Sequence, residues 1–167
     1  METNLITISD VQQYRQIDSK FNQNRFDTFC QEIQRKNLRG LLGDKLYYAF
    51  MADTRTAGIY KELLDGKEYS GMNFYGLKPI LCYWWLAIAA RESDLFHSNV
   101  GAIQFTNNPQ QNFETAKEKE RIATGYMETA QTYANDCINF LSANASNYPL
   151  WIASSEVNQT NFLTFKV

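Results

Sequence analysis

His97 is the only histidine of the chain, so a metal site built on several histidines, or a relay using two imidazoles, is excluded by count. Asp94 precedes it by one helical turn and could hold the ring. The same spacing suits a histidine that merely ends a helix, where the dipole favours its charged form. Cys30, Cys82 and Cys137 stand far apart with no Cys-x-x-Cys pattern. Their odd number and apolar surroundings predict three reduced, buried thiols. Phosphate-loop, dinucleotide-binding and nucleophile-elbow patterns do not occur. Gly66-Lys67 shares with a phosphate loop only the order of its two residues.

Paired carboxylates are the remaining route to catalysis. Glu62 with Asp65, and Glu114 with Glu118 and Glu120, can share helix faces. Acid–base chemistry needs such groups buried or crowded by like charge, so that their proton affinity moves towards neutrality. Here lysines and arginines are interleaved, which predicts ordinary surface pairing. The residues therefore nominate no catalytic group, cofactor site or metal site, and the expectation is a protein that is not an enzyme.

The elements that would position any function follow from composition and periodicity. The 167 residues suit one domain. A hydrophobic fraction of 44% supplies a core and argues against disorder. An aromatic fraction of 14% exceeds what one small core needs, which points to buried contacts with partners. Sixteen basic against 18 acidic residues give a net charge of -2, whereas a free-standing nucleic-acid binder would show a basic excess or stripe. The short basic stretch Arg35–Arg39 reads as a solvated helix face. The N-terminus has no charged start and apolar run of a secretory leader. The longest apolar run, Pro79–Ala90, is about 12 residues against the ~20 that span a bilayer. No membrane partner is expected.

The pattern predicts a mainly α fold: a helical bundle with a long central apolar helix, an extended inter-helix loop and an extended C-terminal tail. After a short extended lead-in at Ile6–Ser9, a helix is capped by Ser9 or Asp10. A second, with Asn24 as its cap, carries Phe26, Phe29, Cys30, Ile33, Leu38, Leu41 and Leu42 on one stripe and ends at Gly43. Short helices follow, one with Leu46, Tyr47 and Phe50, one with Ile59, Tyr60, Leu63 and Leu64 closed by Gly66. Lys67–Gly76 is a turn-rich connector compatible with a small hairpin. The central helix is expected over Leu77–His97, with Pro79 in its first turn. Residues 98–111 form a loop in which Val100, Ile103 and Phe105 alternate with polar residues, as in an extended segment that pairs or docks. The last helix is expected over Phe113–Ala143, capped by Asn112, ~45 Å long. Residues 1–148 would form the helical domain and 149–167 the tail, which either folds back as a strand or docks on a neighbouring chain.

Several segments, in order and spacing, resemble the head-to-tail connector (adaptor or ring) proteins of tailed bacteriophages, including those of crAss-like phages. They are Ile6-Thr7-Ile8-Ser9-Asp10, Leu41-Leu42-Gly43-Asp44-Lys45-Leu46-Tyr47, Tyr60-Lys61-Glu62-Leu63-Leu64-Asp65-Gly66 with Tyr69, and Gly76-Leu77-Lys78-Pro79-Ile80-Leu81, followed by Gly101 in a polar loop. The resemblance covers about residues 5–105 and does not extend to the tail. It implies a structural virion protein at the head-to-tail junction, assembled in the bacterial host cytoplasm as a ring, commonly a dodecamer. Its partners would be other copies of itself, the portal protein, neighbouring connector or tail proteins, and double-stranded DNA passing through the lumen without sequence-specific binding.

Apolar residues outside the helices are the expected subunit or ring contacts: Val100, Gly101, Ile103 and Phe105 in the loop, and Trp151, Ile152, Phe162, Leu163 and Phe165 in the tail. Two other readings compete. One is a helical-bundle enzyme or small-ligand protein with Tyr83, Trp84 and Trp85 lining a pocket. The other is a DNA-packaging factor, recognisable by steeply salt-dependent binding.

Overall fold

A computed structural model of the chain describes residues 3–15, 17, 21–92, 95–98, 101–104 and 109–152. The fold is a mainly helical bundle, as the periodicity predicts. Leu5 and Ile6 are buried lead-in residues. Thr7, rather than Ser9 or Asp10, caps α1 (Ile8–Tyr14). The Asp10 N–H donates to the Thr7 hydroxyl at 3.2 Å while the Asp10 carboxylate accepts the Thr7 N–H at 2.8 Å. Two free donors of the first turn are thereby satisfied reciprocally.

α2 (Gln23–Ile33) is capped by Asn22, not Asn24; its side-chain oxygen accepts the Arg25 N–H at 3.1 Å. The earlier start gives Phe26, the first buried residue, a full turn of helix ahead of it. The apolar stripe then breaks step, because Ile33 and Leu38 lie five apart in sequence, too far for neighbours on an α-helix. The chain answers with a π-helical stretch, Gln34–Leu38, before α3 (Arg39–Leu42). Its wider turn absorbs the extra residue and keeps both side chains buried. It also turns Gln34 and Asn37 inwards. The Gln34 amide accepts the Leu5 N–H at 2.8 Å and donates to the Thr3 carbonyl at 3.3 Å, fastening the N-terminal lead-in to the bundle.

Gly43 (φ 73°) turns the chain into α4 (Asp44–Ala52). The Arg55 guanidinium then donates to the Phe50 and Met51 carbonyls at 2.8 and 3.0 Å, closing the end of α4. α5 (Gly58–Asp65) leads into an antiparallel hairpin of β1 (Lys67–Tyr69) and β2 (Met72–Phe74), in the connector where one was expected. The neck of this hairpin is two glycines back to back. A Cβ on Gly76 (φ 81°) would stand 2.6 Å from the Gly66 nitrogen and 2.7 Å from the Asp65 carbonyl carbon. A Cβ on Gly66 (φ 98°) would stand 2.7 Å from the Tyr75 carbonyl carbon.

α6 (Leu77–Glu92) is the centre. From Leu77 to Ala89 every residue but Lys78 is buried, and α1, α2, α5 and α7 (Pro109–Ala143) all pack on it. The sequence pattern runs this helix to His97; the structure ends it at Glu92. The apolar wall is exhausted at Ala90, Arg91 turns to Glu120 on α7, and the Arg25 guanidinium donates to the Glu92 carbonyl. Beyond it, β3 (Leu95–Ser98) and β4 (Gly101–Gln104) pair antiparallel, His97 opposite Ala102. His97 thus lies on a strand, not at a helix end. The extended segment expected from the alternation after Ser98 finds its partner in residues 95–98.

α7 begins at Pro109 instead of Phe113, using proline where the missing N–H costs nothing. It runs antiparallel to α6, with Glu120 beside Arg91 and Phe140 stacked on Phe74, 4.2 Å between ring centroids, next to the start of α6. Buried Ala123, Ala130 and Ala134 form the seam and let the two helix backbones approach closely. Beyond α7 the Tyr148 hydroxyl donates to the Ile59 carbonyl at 2.8 Å, and Trp151 packs on the core. Bundle packing therefore continues past residue 148. Among the described residues no helix is long and apolar enough to cross a membrane.

The glycine neck yields a paired prediction. Gly76→Ala must push against backbone and should cost at least about 3 kcal/mol in urea unfolding. Gly71→Ala, at φ 74° with nothing within 4 Å of the added methyl, should cost only about 1–2 kcal/mol of left-handed strain.

Candidate interaction site

The segments at residues 60–66 and 76–81 fold into one joint. Beside the glycine neck, the Asp65 carboxylate accepts from Lys61 and Lys78, both at 2.8 Å. Partial burial works to raise the Asp65 pKa, but the two lysine hydrogen bonds override it and hold the group below the usual carboxylate value. Lys78 is pushed up by its hydrogen bond to Asp65. The segment at residues 41–47 forms a second joint. There Arg39 grips Asp44 with two hydrogen bonds, 2.8 and 3.0 Å, across Gly43, holding the Asp44 carboxyl low.

Of the other carboxylates considered for chemistry, Glu62, Glu118 and Glu120 are paired, and the side chain of Glu114 lies outside those described. Glu62 meets Lys67 at 3.0 Å, Glu118 meets Arg121, and Glu120 meets Arg91 at 2.8 Å. Hydrogen bonds from Arg121 and Arg91 hold Glu118 and Glu120 below their usual values, the direction opposite to that of a general acid. Cys30, Cys82 and Cys137 are buried free thiols, and burial raises each pKa. Among the described residues no group of three or more His, Cys, Asp or Glu is placed to hold a metal ion. Tyr83, Trp84 and Trp85 are buried. Trp85 is boxed by Phe21, Phe26 and Phe29 and donates its indole N–H to the Phe26 carbonyl at 3.4 Å. The aromatic cluster is core.

The expected contact residues are divided by the structure. Gly101 and Ile103 lie on β4, in the antiparallel hairpin with β3. Trp151 is half-buried on its own bundle, whereas Ile152 next to it is 68% exposed. Val100, Phe105, Phe162, Leu163 and Phe165 lie outside the described residues.

Two surfaces escaped the sequence reading. The first is a tyrosine seam: Tyr83 contacts Tyr14, Tyr126 and Tyr133, Tyr133 meets Tyr75, and the Arg15 guanidinium lies 5.8 Å from the centres of both the Tyr83 and Tyr126 rings. Burial, with neighbouring acidic groups, pushes the Tyr14 phenol up to about 12. Helical spacing of Tyr126 and Tyr133 was its only sequence signal. The second surface is the end of the bundle where Phe140 and Tyr148 meet. Ile59, whose carbonyl accepts the Tyr148 hydroxyl, and Leu150 and Ile152, which follow Tyr148, are exposed, as is Met72 opposite Tyr69 on the hairpin.

A mainly helical bundle is the class this geometry defines. The chain belongs to DUF6712, a family of unknown function, whose pattern matches residues 38–161. No curated protein and no solved structure matches it.

The Asp65–Lys78 pair sets a pH window. A carboxyl held low when folded contributes stability above its unfolded pKa of about 3.9 and loses it as pH falls through the folded value. A lysine held high contributes below about 10.4 and loses it as pH rises through its folded value. Urea unfolding from pH 3 to 11 should therefore show both limbs. Asp65→Asn should flatten each while costing less than about 1 kcal/mol at pH 7.

Proposed function

We propose that the chain is a structural ring subunit of the head-to-tail connector of a tailed bacteriophage, bridging portal and tail around the DNA channel. The observation that carries this reading is the fate of the motif segments. Residues 41–47, 60–66 and 76–81, whose order and spacing resemble connector proteins, become consecutive joints of one rigid bundle, fixed by glycine turns and ion pairs. They set angles between helices, as befits a building block.

Ring closure needs heterologous contacts, one surface of each copy on a different surface of the next. The β3–β4 hairpin and the residues after Ile152 are the arms that would supply them, the hairpin by edge-to-edge strand addition. A net charge of -2 suits a lumen through which DNA slides without being gripped. In this reading the partners are other copies in a dodecamer, the portal protein and the neighbouring connector or tail proteins, and the location is the head-to-tail junction of the virion.

The test is assembly. The chain mixed with a portal protein from the phage genome that would encode it should form closed rings on the portal, seen by native mass spectrometry and electron microscopy. A chain that stays monomeric and apart from the portal at micromolar concentration would count against the proposal. Truncation after Ile152, which keeps Trp151 on the core, should leave the far-ultraviolet circular dichroism and unfolding midpoint near those of the full chain while abolishing incorporation into particles.

A further inference from the structure

Asp65-Gly66 is the only Asp-Gly pair of the sequence, which contains no Asn-Gly. An aspartate followed by glycine is the pair most open to spontaneous isomerisation, because no side chain shields the glycine nitrogen. In that reaction the Gly66 nitrogen bonds to the Asp65 side-chain carboxyl carbon. A carboxyl oxygen leaves as water, taking the proton of the N–H. The five-membered imide then takes up water at either carbonyl and opens to aspartate or to isoaspartate, whose main chain runs through the former side chain. Mass is unchanged overall, and no oxidant or cofactor enters.

The fold withholds each participant. The Gly66 N–H is committed to the Glu62 carbonyl at 2.9 Å. The Asp65 carboxylate is held by Lys61 and Lys78, both at 2.8 Å, which favours its ionised and less reactive form. Gly76 crowds the nitrogen across the neck, where an added Cβ would stand 2.6 Å from it. Closing the imide ring requires Asp65 and Gly66 to leave all three contacts together.

We infer that Asp65-Gly66 is a modification site gated by unfolding: silent in the folded chain, it isomerises when the elbow between α5 and α6 opens, and the product cannot rebuild that elbow. Isoaspartate adds one carbon to the main chain at a neck with no room for a methyl group on either glycine. The site thereby records time spent open and withdraws the affected chains from the native population. The inference does not depend on the ring reading, since it needs only a single folded chain.

The test ages the full-length chain at neutral pH across a urea series and digests it with trypsin. Cleavage after Lys61 and Lys67 releases Glu62–Lys67, whose aspartate and isoaspartate forms separate by chromatography. Native domains spend less than about one part in a thousand unfolded, so isomerisation in buffer should be at least about a hundredfold slower than in concentrated urea. The rate should also climb along the unfolding curve followed by circular dichroism. A smaller ratio, or a rate that ignores the transition, would overturn the gating. Chain aged in urea and returned to buffer gives the second readout. Brief proteolysis should destroy the isoaspartate-containing chains and spare those that kept aspartate; equal survival would overturn the claim that the neck rejects the product.

Discussion

A helix that is apolar on every face cannot rest against a single neighbour, and α6 imposes that condition on everything around it. Ile80, Leu81, Cys82 and Tyr83 step around the circumference of the helix and all are buried. Each such side chain kept from water contributes about 1.5–3 kcal/mol, so the chain must supply cover on all sides. α1, α2, α5 and α7 supply it. The aromatic box around Trp85 and the tyrosine seam beside Tyr83 follow from the same demand. Where the cover thins, at Ala90, the helix has only two residues left to run.

The polar groups inside are few and spent on fastening. Gln34 and Asn37 are the buried polar side chains of the described core, and both stand on the π-helical stretch. Widening the turn to keep Ile33 and Leu38 on one face forces these residues inwards, and Gln34 meets the cost of burial by pairing with the backbone of the lead-in. One register defect thus anchors the N-terminus. The surface ion pairs act differently: Arg39–Asp44 and Asp65–Lys78 straddle chain reversals, where even weak attraction favours one geometry over its alternatives.

The parts legible in the sequence were those with a repeated signal. The stripe from Phe26 to Leu42, the uninterrupted apolar run of α6, the spacing of the second half of α7 and the stop at Gly43 all show directly in residue type. Caps were misplaced by two or three residues because Thr7, Ser9, Asp10, Asn22 and Asn24 are chemically equivalent candidates, and only the depth at which Val11 and Phe26 pack decides among them. Leu95, Phe96 and His97 fit a helix as well as a strand, so the end of α6 was hidden. The burial of Gln34 was invisible, since a glutamine beside Arg35 and Lys36 looks solvated. Of the expected contact residues, Trp151 is the one the structure places against the bundle. Its type and position after Pro149 suggested a docking tail, but the adjacent Tyr148 hydrogen bond to Ile59 keeps the chain against the bundle as far as Trp151.

The Gly66–Gly76 neck bears on how the chain acquires its shape. It closes a loop of about ten residues, a length whose ends meet within roughly 10–100 ns, with little entropy to surrender. Long-range docking of α7 on α6 must wait for the whole intervening chain. The elbow between α5 and α6 can thus be set early, from residues close together along the backbone. A nascent chain carries that angle with it before the last helix arrives, and the later helix packs onto an orientation already chosen.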